Sequence, residues 1–449
     1  MAMPSNPAAL LRSRSYLGLL LLAGVLGAPV SAAAYGFLAL VSYLQKEIFV
    51  HLPHGLGFHN PPGWWPLPVV VAGGALVALA VRYLPGGGGP SPAGGFKVHG
   101  PPAAAQLPGV VAAALATLVF GAVLGPEMPL IAIGGGLALF AVRLAKRDAP
   151  AQATTVVASA GAFAAIATLL GSPLAGAFLL MEASGLGGPV LGLVLVPGLL
   201  AAGIGSLIFI GLDNLTGLGT FSLTIPGLPH FTQPTVGEFG WAVAIGLAAA
   251  VIGAAIRWLG KLIQAYATSR ALLVLPLAGL AVGGLAVIYV EGTAKKASDV
   301  LFSGQSALPS FVHNSAGYTV GALLLLLVCK GLAYGLSLGS FRGGPIFPAL
   351  FLGVVGGVAL SHLPGLPMVA GLAMGLGAMS TVMLTLPLTS VLLPTLILGS
   401  DRLRLMPLVI VAVVVAYVAS AHLARQAAPE EDEPPQVPAA GGFTGTSAA

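Results

Sequence analysis

The sequence predicts an all-α polytopic membrane protein built as two helical halves, with short, broken and tilted helices. Three observations predict it. Hydrophobic residues make up 57% of the 449 residues and charged residues only 7%, against about 25% charged in soluble domains. Glycine (64) and proline (36) are abundant, which points to close helix packing and interrupted helices rather than straight bilayer-crossing rods. A Gly/Pro pattern also recurs. Gly125-Pro126-Glu127-Met128-Pro129 is matched by Gly344-Pro345-Ile346-Phe347-Pro348, each ahead of a glycine-rich apolar segment. Gly161 precedes Ser172-Pro173-Leu174-Ala175-Gly176 by nearly the interval that separates Gly375 from Leu386-Pro387-Leu388-Thr389-Ser390. Agreement in order and spacing at two places indicates an internal repeat.

In chain order, residues 1–16 are polar, carry Arg12 and Arg14, and read as a cytoplasmic N-terminal segment. The apolar run 17–44 reads as a retained first helix, because no small-residue cleavage site closes a short apolar core. It opens a transmembrane region, 17–425, with approximate halves 17–212 and 239–425. Residues 45–65 read as an interfacial loop anchored by Trp64 and Trp65, since tryptophan settles at the headgroups. The spacing of His51, His54 and His59 there matches no compact metal-ligand motif. A second span, 66–83, runs into the glycine-rich stretch 86–96. That stretch is either a flexible linker or unwound backbone turning its N–H groups toward an anion.

Further apolar segments follow at 109–124, 129–144, 155–181, 189–212, 239–262, 271–290, 320–338, 346–363, 368–398 and 405–423. Several fall short of the roughly 20 residues a straight span needs and read as half-helices. Arg143, Lys146 and Arg147 place the connection after 129–144 in the cytoplasm by the positive-inside bias. Residues 222–238 read as an extramembrane loop, and the Pro-, Ala- and acid-rich 426–449 as a disordered tail. The net charge of +5 belongs to basic cytoplasmic loops. Scattered Lys and Arg without aromatic interleaving give no nucleic-acid footprint. The single cysteine, Cys329, cannot form an internal disulfide and reads as core packing. Glu182 and Lys330 read as helix caps or cytoplasmic-interface charges, Arg257 with Lys261 as snorkelling cations, and Asp401, Arg402 and Arg404 as a short interfacial loop.

Glu127 stands apart. It is one carboxylate among Gly125, Pro126 and Pro129 in an apolar setting, where an unpaired charge costs several kcal/mol and marks a functional site by default. The duller alternative is a helix-end carboxylate that snorkels to the interface. Corresponding Gly/Pro-interrupted segments in two halves favour the functional reading, because half-helix N-termini at a midplane site aim their positive dipole ends at an anion.

Gly125-Pro126-Glu127-Met128-Pro129 with Ile133-Gly134-Gly135 resembles the GREGP...IGG segment of the CLC family of chloride channels and chloride/proton exchangers. Ser172-Pro173-Leu174-Ala175-Gly176 through Met181-Glu182 resembles that family's NAPLAG...E stretch. Lys330, Ser337-Leu338-Gly339-Ser340, Gly343-Gly344 and Pro348-Ala349-Leu350-Phe351-Leu352-Gly353 resemble its K...GSG..GG.F.PSLF.G segment, and Pro387-Leu388-Thr389 its PLTG. The resemblance, in family order from about Gly86 to about Ala424, implies an inverted-repeat fold, a homodimer with one pore per subunit, and selective passage of chloride or a similar small anion across the cell membrane. It needs no cofactor or metal. Glu127 would be the gate, its carboxylate competing with the anion for one site. Gly88, Gly125, Met128, Gly343, Gly344, Ile346 and Phe347 would line the anion path, and Arg342 would draw anions to the entrance.

The chain also departs from the family pattern. Where the family commonly has GSGIP, residues 86–92 read GGGGPSP, so Gly88 stands in place of a serine unless Ser91 substitutes. Pro126 and Pro345 have no N–H to offer. Tyr417 falls too early for the family's pore tyrosine, and no Glu lies near Leu215, where exchangers carry a proton-relaying glutamate. Passive chloride conduction gated by Glu127 is the first expectation. Proton-coupled exchange through Glu182 or Asp213 is the second, and a non-transporting protein on the same fold the third. An enzyme is not indicated, since no nucleophile and base pair or ligand spacing is present.

Overall fold

The computed structural model describes residues 12–98, 100–185, 188–218, 225, 227–398 and 402–427. The expected tail beyond 427, residues 1–11 of the N-terminal segment, Asp401 and most of 219–226 lie outside them.

The chain is an all-α polytopic membrane protein. Among the described residues eight helices are long and apolar enough to cross a bilayer, and shorter apolar helices fill the spaces between them. The first part runs α1 (Arg14–Lys46), α2 (Pro66–Tyr83), α3 (Leu107–Val119), α4 (Glu127–Ala145), α5 (Ala151–Leu169), α6 (Pro173–Ser184) and α7 (Gly188–Thr216). The second runs α8 (Val236–Ser269), α9 (Ala271–Thr293), α10 (Val320–Ser340), α11 (Ile346–Leu360), α12 (Met368–Leu384), α13 (Pro387–Ile397) and α14 (Arg402–Ala427).

Two expected segments prove to be pairs of helices. Segment 155–181 breaks where Gly171 takes φ +66° and Ser172 caps α6, accepting from the Ala175 N–H at 3.3 Å. Segment 368–398 breaks at Thr385, which takes φ +58°, just before Pro387 starts α13. Proline suits the first turn of a helix and not its interior. The expected loop 45–65 is partly helical: α1 continues through a π-turn, Glu47–His51, and a turn Leu52–Gly55.

Small residues set the packing. A Cβ on Gly74, Gly279 or Gly283 would strike backbone of the facing helix, so α2 and α9 lie in close contact. Van der Waals packing of this kind holds membrane helices together where lipid offers no hydrophobic drive. Gly134 of α4 and Gly161 of α5 each press on the other's carbonyl. Gly353 of α11 and Gly375 of α12 do the same. Gly134 and Gly353 lie equally far beyond Gly125 and Gly344, so the repeated sequence pattern recurs as a repeated helix crossing. Every residue of α12 from Val369 to Leu384 is buried. The outer helices expose Leu21, Leu207, Trp258 and Leu273 instead, the face that lipid requires.

Candidate functional site

The start of α4 meets the start of α11 through an isolated antiparallel bridge. Gly125 N donates to Gly344 O at 2.8 Å and Gly344 N to Gly125 O at 2.6 Å. Side chains of neighbouring helices hold the two approach segments. Val123 N donates to Ser337 Oγ at 3.0 Å, Arg342 N to Thr117 Oγ1 at 3.1 Å, and the Tyr334 hydroxyl to Pro345 O at 2.6 Å.

Glu127, the first residue of α4, is completely buried at this junction. Its Oε1 accepts from Phe347 N at 2.8 Å. The Ile346 amide and Glu127's own amide also face the carboxylate, and Oε2 has no partner. Pro126 and Pro345 sit at the N-cap positions of α4 and α11. A proline there removes one donor, while the next amides of each helix have no intrahelical acceptor and stay available. The carboxylate therefore rests on the positive end of α11. A Cβ on Gly125 or Gly344 would collide with it, which explains glycine at both positions.

Cavities open on both sides. Met128 lines one of about 250 Å³, together with Gly88, Gln106, Arg342 and Gly343. Pro126 lines another of about 310 Å³, whose polar groups are Ser42, Gln45, Ser303, Gln305 and Ser306. Glu127, between Pro126 and Met128 in sequence, lines neither cavity. The residues read from the sequence as anion-lining thus fall into two adjoining groups. Gly125, Gly344, Ile346 and Phe347 surround the Glu127 carboxylate, whereas Gly88, Met128, Gly343 and Arg342 border the first cavity.

Gly86 to Gly89 all take positive φ. A Cβ on Gly88 would press on Ala113 Cβ at 2.9 Å and lie 3.6 Å from Arg342 Cγ, so the arginine stem packs against the bare glycine. Ser91 does not replace the missing serine, because its hydroxyl donates to Leu338 O at 3.3 Å. Tyr417 is 41% exposed and away from the junction. The tyrosine at the junction is Tyr334, one turn after Lys330, which the sequence reading passed over. Its position within a leucine-rich run is the only signal that could have found it.

Other charges have structural duties. Glu182 caps α13 across the molecule: Leu388 N and Thr389 N donate to its two oxygens at 2.9 and 2.7 Å, and Thr389 Oγ1 adds a bond of 2.6 Å. Lys330 is fully buried rather than interfacial, and its Nζ donates to the carbonyls of Asp299, Val300, Leu301 and Phe302 at 2.9 to 3.3 Å. Arg257 does not snorkel. Its guanidinium donates to Val382 O at 2.8 Å and Ser420 Oγ at 2.7 Å, tying α8 to α12 and α14. Arg404 donates to Phe231 O at 3.0 Å from within α14. Among the described residues no group of three His, Cys, Asp or Glu could hold a metal.

Known proteins resemble this chain in sequence and in fold. The family described as "Voltage gated chloride channel" matches residues 69–421. A Shigella boydii serotype 4 protein named "Putative ion-transport protein YfeO" is 30% identical over 369 residues, covering 79% of this chain and 82% of its own. The protein of the same name from Escherichia coli O7:K1 is 29% identical over 367 residues with the same coverage. Among solved structures, a slow cyanobacterial Cl−/H+ antiporter superposes with a TM-score of 0.72 at 20% identity, over 90% of this chain and 94% of its own. A CLC-type fluoride/proton antiporter superposes with a TM-score of 0.60 at 21% identity, over 91% and 96%. At these identities the two structures speak for the fold.

Proposed function

The chain belongs to the voltage-gated chloride channel (CLC) family, and on that premise we propose that it conducts a small anion such as chloride passively across the membrane, with Glu127 as the gate. The observation that carries the reading is the 2.8 Å bond from Phe347 N to the Glu127 carboxylate. A carboxylate that takes the donors of a helix N-terminus occupies the place an anion would take. The anion replaces it when Glu127 swings aside or is protonated, and passes between the two cavities along Gly125, Gly344, Ile346 and Phe347. The protein works as a homodimer, with both termini and the 143–147 loop in the cytoplasm.

Proton-coupled exchange is the second reading, favoured by the two solved structures similar in fold, both antiporters. It needs a second proton-carrying acid. Both oxygens of Glu182 are bound at α13, which leaves Asp213 as the expected candidate.

Anion efflux from proteoliposomes of the purified chain, with valinomycin present and external pH recorded, tests both. Chloride efflux without proton movement, altered in Glu127→Ala, supports conduction. Stoichiometric proton uptake replaces it with exchange. No efflux of any halide, nitrate or thiocyanate from folded protein removes both and leaves a non-transporting member of the family.

A further inference from the structure

Helix α8 ends in positive charge that nothing near it in sequence balances. Its 34 residues make it roughly 50 Å long, well over the roughly 30 Å of hydrocarbon in a bilayer. Trp258 and Tyr266 are exposed toward its C-terminal end, and such rings settle at the headgroups, so that end reaches the membrane surface. Lys261 and Arg270 are exposed there. Neither side chain has a hydrogen-bond or ion-pair partner among the described residues. No Asp or Glu lies between Arg257 and Val290, nor anywhere in α14.

Helix α14 carries the chain's acidic run toward this place. Gly246 of α8 lies against Ala412 and Val415, and further on Arg257 donates to Ser420 Oγ at 2.7 Å, so the two helices run in the same direction. Measured from that bond along the helices, Lys261 lies roughly 6 Å on and Arg270 roughly 20 Å on in α8, while Ala427 lies roughly 10 Å on in α14. Past Ala427 comes Glu430-Glu431-Asp432-Glu433, four of the chain's thirteen acidic residues. The intervening backbone spans up to roughly 10 to 20 Å, which brings the run within reach of both cations. We propose that this acidic run docks on the basic end of α8, held by Lys261 and Arg270 in an intramolecular contact of complementary charge.

The contact has a consequence for transport that rests on the proposed anion route, although docking itself does not. Gly260, beside Lys261, packs on Leu338, and Leu338 O accepts from Ser91, which stands between Pro90 and Lys97 of the Met128 cavity wall. Unbalanced cations beside that cavity raise the local concentration of anions. The docked run cancels their field and slows anion entry.

A nitroxide on Gln436→Cys, just past the acidic run, reports docking in the full chain, since Cys329 is buried and stays unlabelled. In zwitterionic vesicles at low ionic strength its electron paramagnetic resonance spectrum shows restricted motion, which is released at about 1 M salt, where the screening length falls to about 3 Å. Lys261→Gln with Arg270→Gln frees the label at low salt, as does neutralising Glu430, Glu431, Asp432 and Glu433 to their amides. Removal of residues 429–449 raises chloride efflux severalfold at low salt and leaves it unchanged at high salt. If neither full-length nor shortened protein conducts, the transport reading fails while the label still decides the contact. A label already mobile in the wild type at low salt, or one still restricted once Lys261 and Arg270 are neutralised, overturns the proposal. Release of the label by anionic phospholipid in the vesicles assigns the basic end of α8 to headgroups and overturns it as well.

Discussion

Gly125 and Gly344 exchange both of their backbone hydrogen bonds, at 2.8 and 2.6 Å, and the Glu127 carboxylate lies against both residues where a Cβ would project. The two occupy the same place in the repeated Gly-Pro pattern. The contact that joins the repeats is therefore also a wall of the pocket that holds the Glu127 carboxylate.

Glu127→Gln removes the charge that accepts from the Phe347 N–H and that, in the proposed mechanism, holds the place of an anion. Flux measured in proteoliposomes rises severalfold. In the wild type protonation of Glu127 is expected to have the same effect, so efflux increases as pH falls from about 8 to about 5, roughly the range in which carboxylates and histidines titrate in proteins. The variant gives a flat pH profile.

Gly344→Ala forces a methyl group into the space of the carboxylate. The side chain of Glu127 gives way before the bridge does, because a side chain can rotate to another rotamer whereas the bridge is fixed by two backbone hydrogen bonds. Flux in this variant loses its pH dependence as in Glu127→Gln. Gly134→Ala, which instead strikes the Gly161 carbonyl, lowers the melting temperature and leaves the pH profile intact.

Glu182→Ala strips the first turn of α13 of its cap. Loss of a helix cap costs about 1 to 2 kcal/mol, read as a lower melting temperature in detergent. Thr389→Val loses part of the same interaction, so the double variant costs less than the two single changes together.

Lys330→Met leaves four carbonyls, Asp299 to Phe302, without their shared donor. Unsatisfied buried acceptors make this a loss of about 3 kcal/mol or more, seen as poor recovery of folded protein by size exclusion. The segment it releases donates from Phe302 N to Gly121 O and lines the cavity that Pro126 also lines, so any folded fraction is expected to conduct less selectively.

Asp299 lies between α9 and α10, where burial raises its carboxyl above the usual carboxylate range. A group whose folded pKa is raised binds more protons folded than unfolded, so its contribution to stability is lost as pH rises through that raised value. Thermal melting followed between pH 4 and 7, about the span from an unperturbed Asp to neutrality, shows a decline with pH that is shallower in Asp299→Asn.

Much of this was legible in the sequence. An isolated carboxylate among glycine and proline in an apolar chain singled out Glu127, because a charge so costly to bury persists where it has work to do. The Gly-Pro repeat picked out Gly125 and Gly344 by order and spacing; the structure adds that a Cβ on either would meet the Glu127 carboxylate. Helix ends were less legible, since apolar runs continue across the breaks at Gly171 and Thr385 and only a left-handed turn interrupts them. Long-range polar contacts were not legible. Glu182 finds its partners 206 and 207 residues away, and Lys330 finds backbone carbonyls about thirty residues upstream, which no side-chain pattern announces. Tyr334 looked like core filler because its hydroxyl is directed to a backbone oxygen that no side-chain motif reveals.

The capping of α13 by Glu182 bears on the order of assembly during synthesis. The carboxylate is made about two hundred residues before the amides it serves, at a synthesis rate of roughly 5 to 20 residues per second. It is thus already in place when α13 leaves the ribosome, whereas a C-terminal fragment expressed alone begins that helix with Leu386 in the cap position and no oxygen to receive its first amides. The C-terminal repeat depends on its N-terminal counterpart as a template, and severing the chain between the two leaves that dependence one-sided.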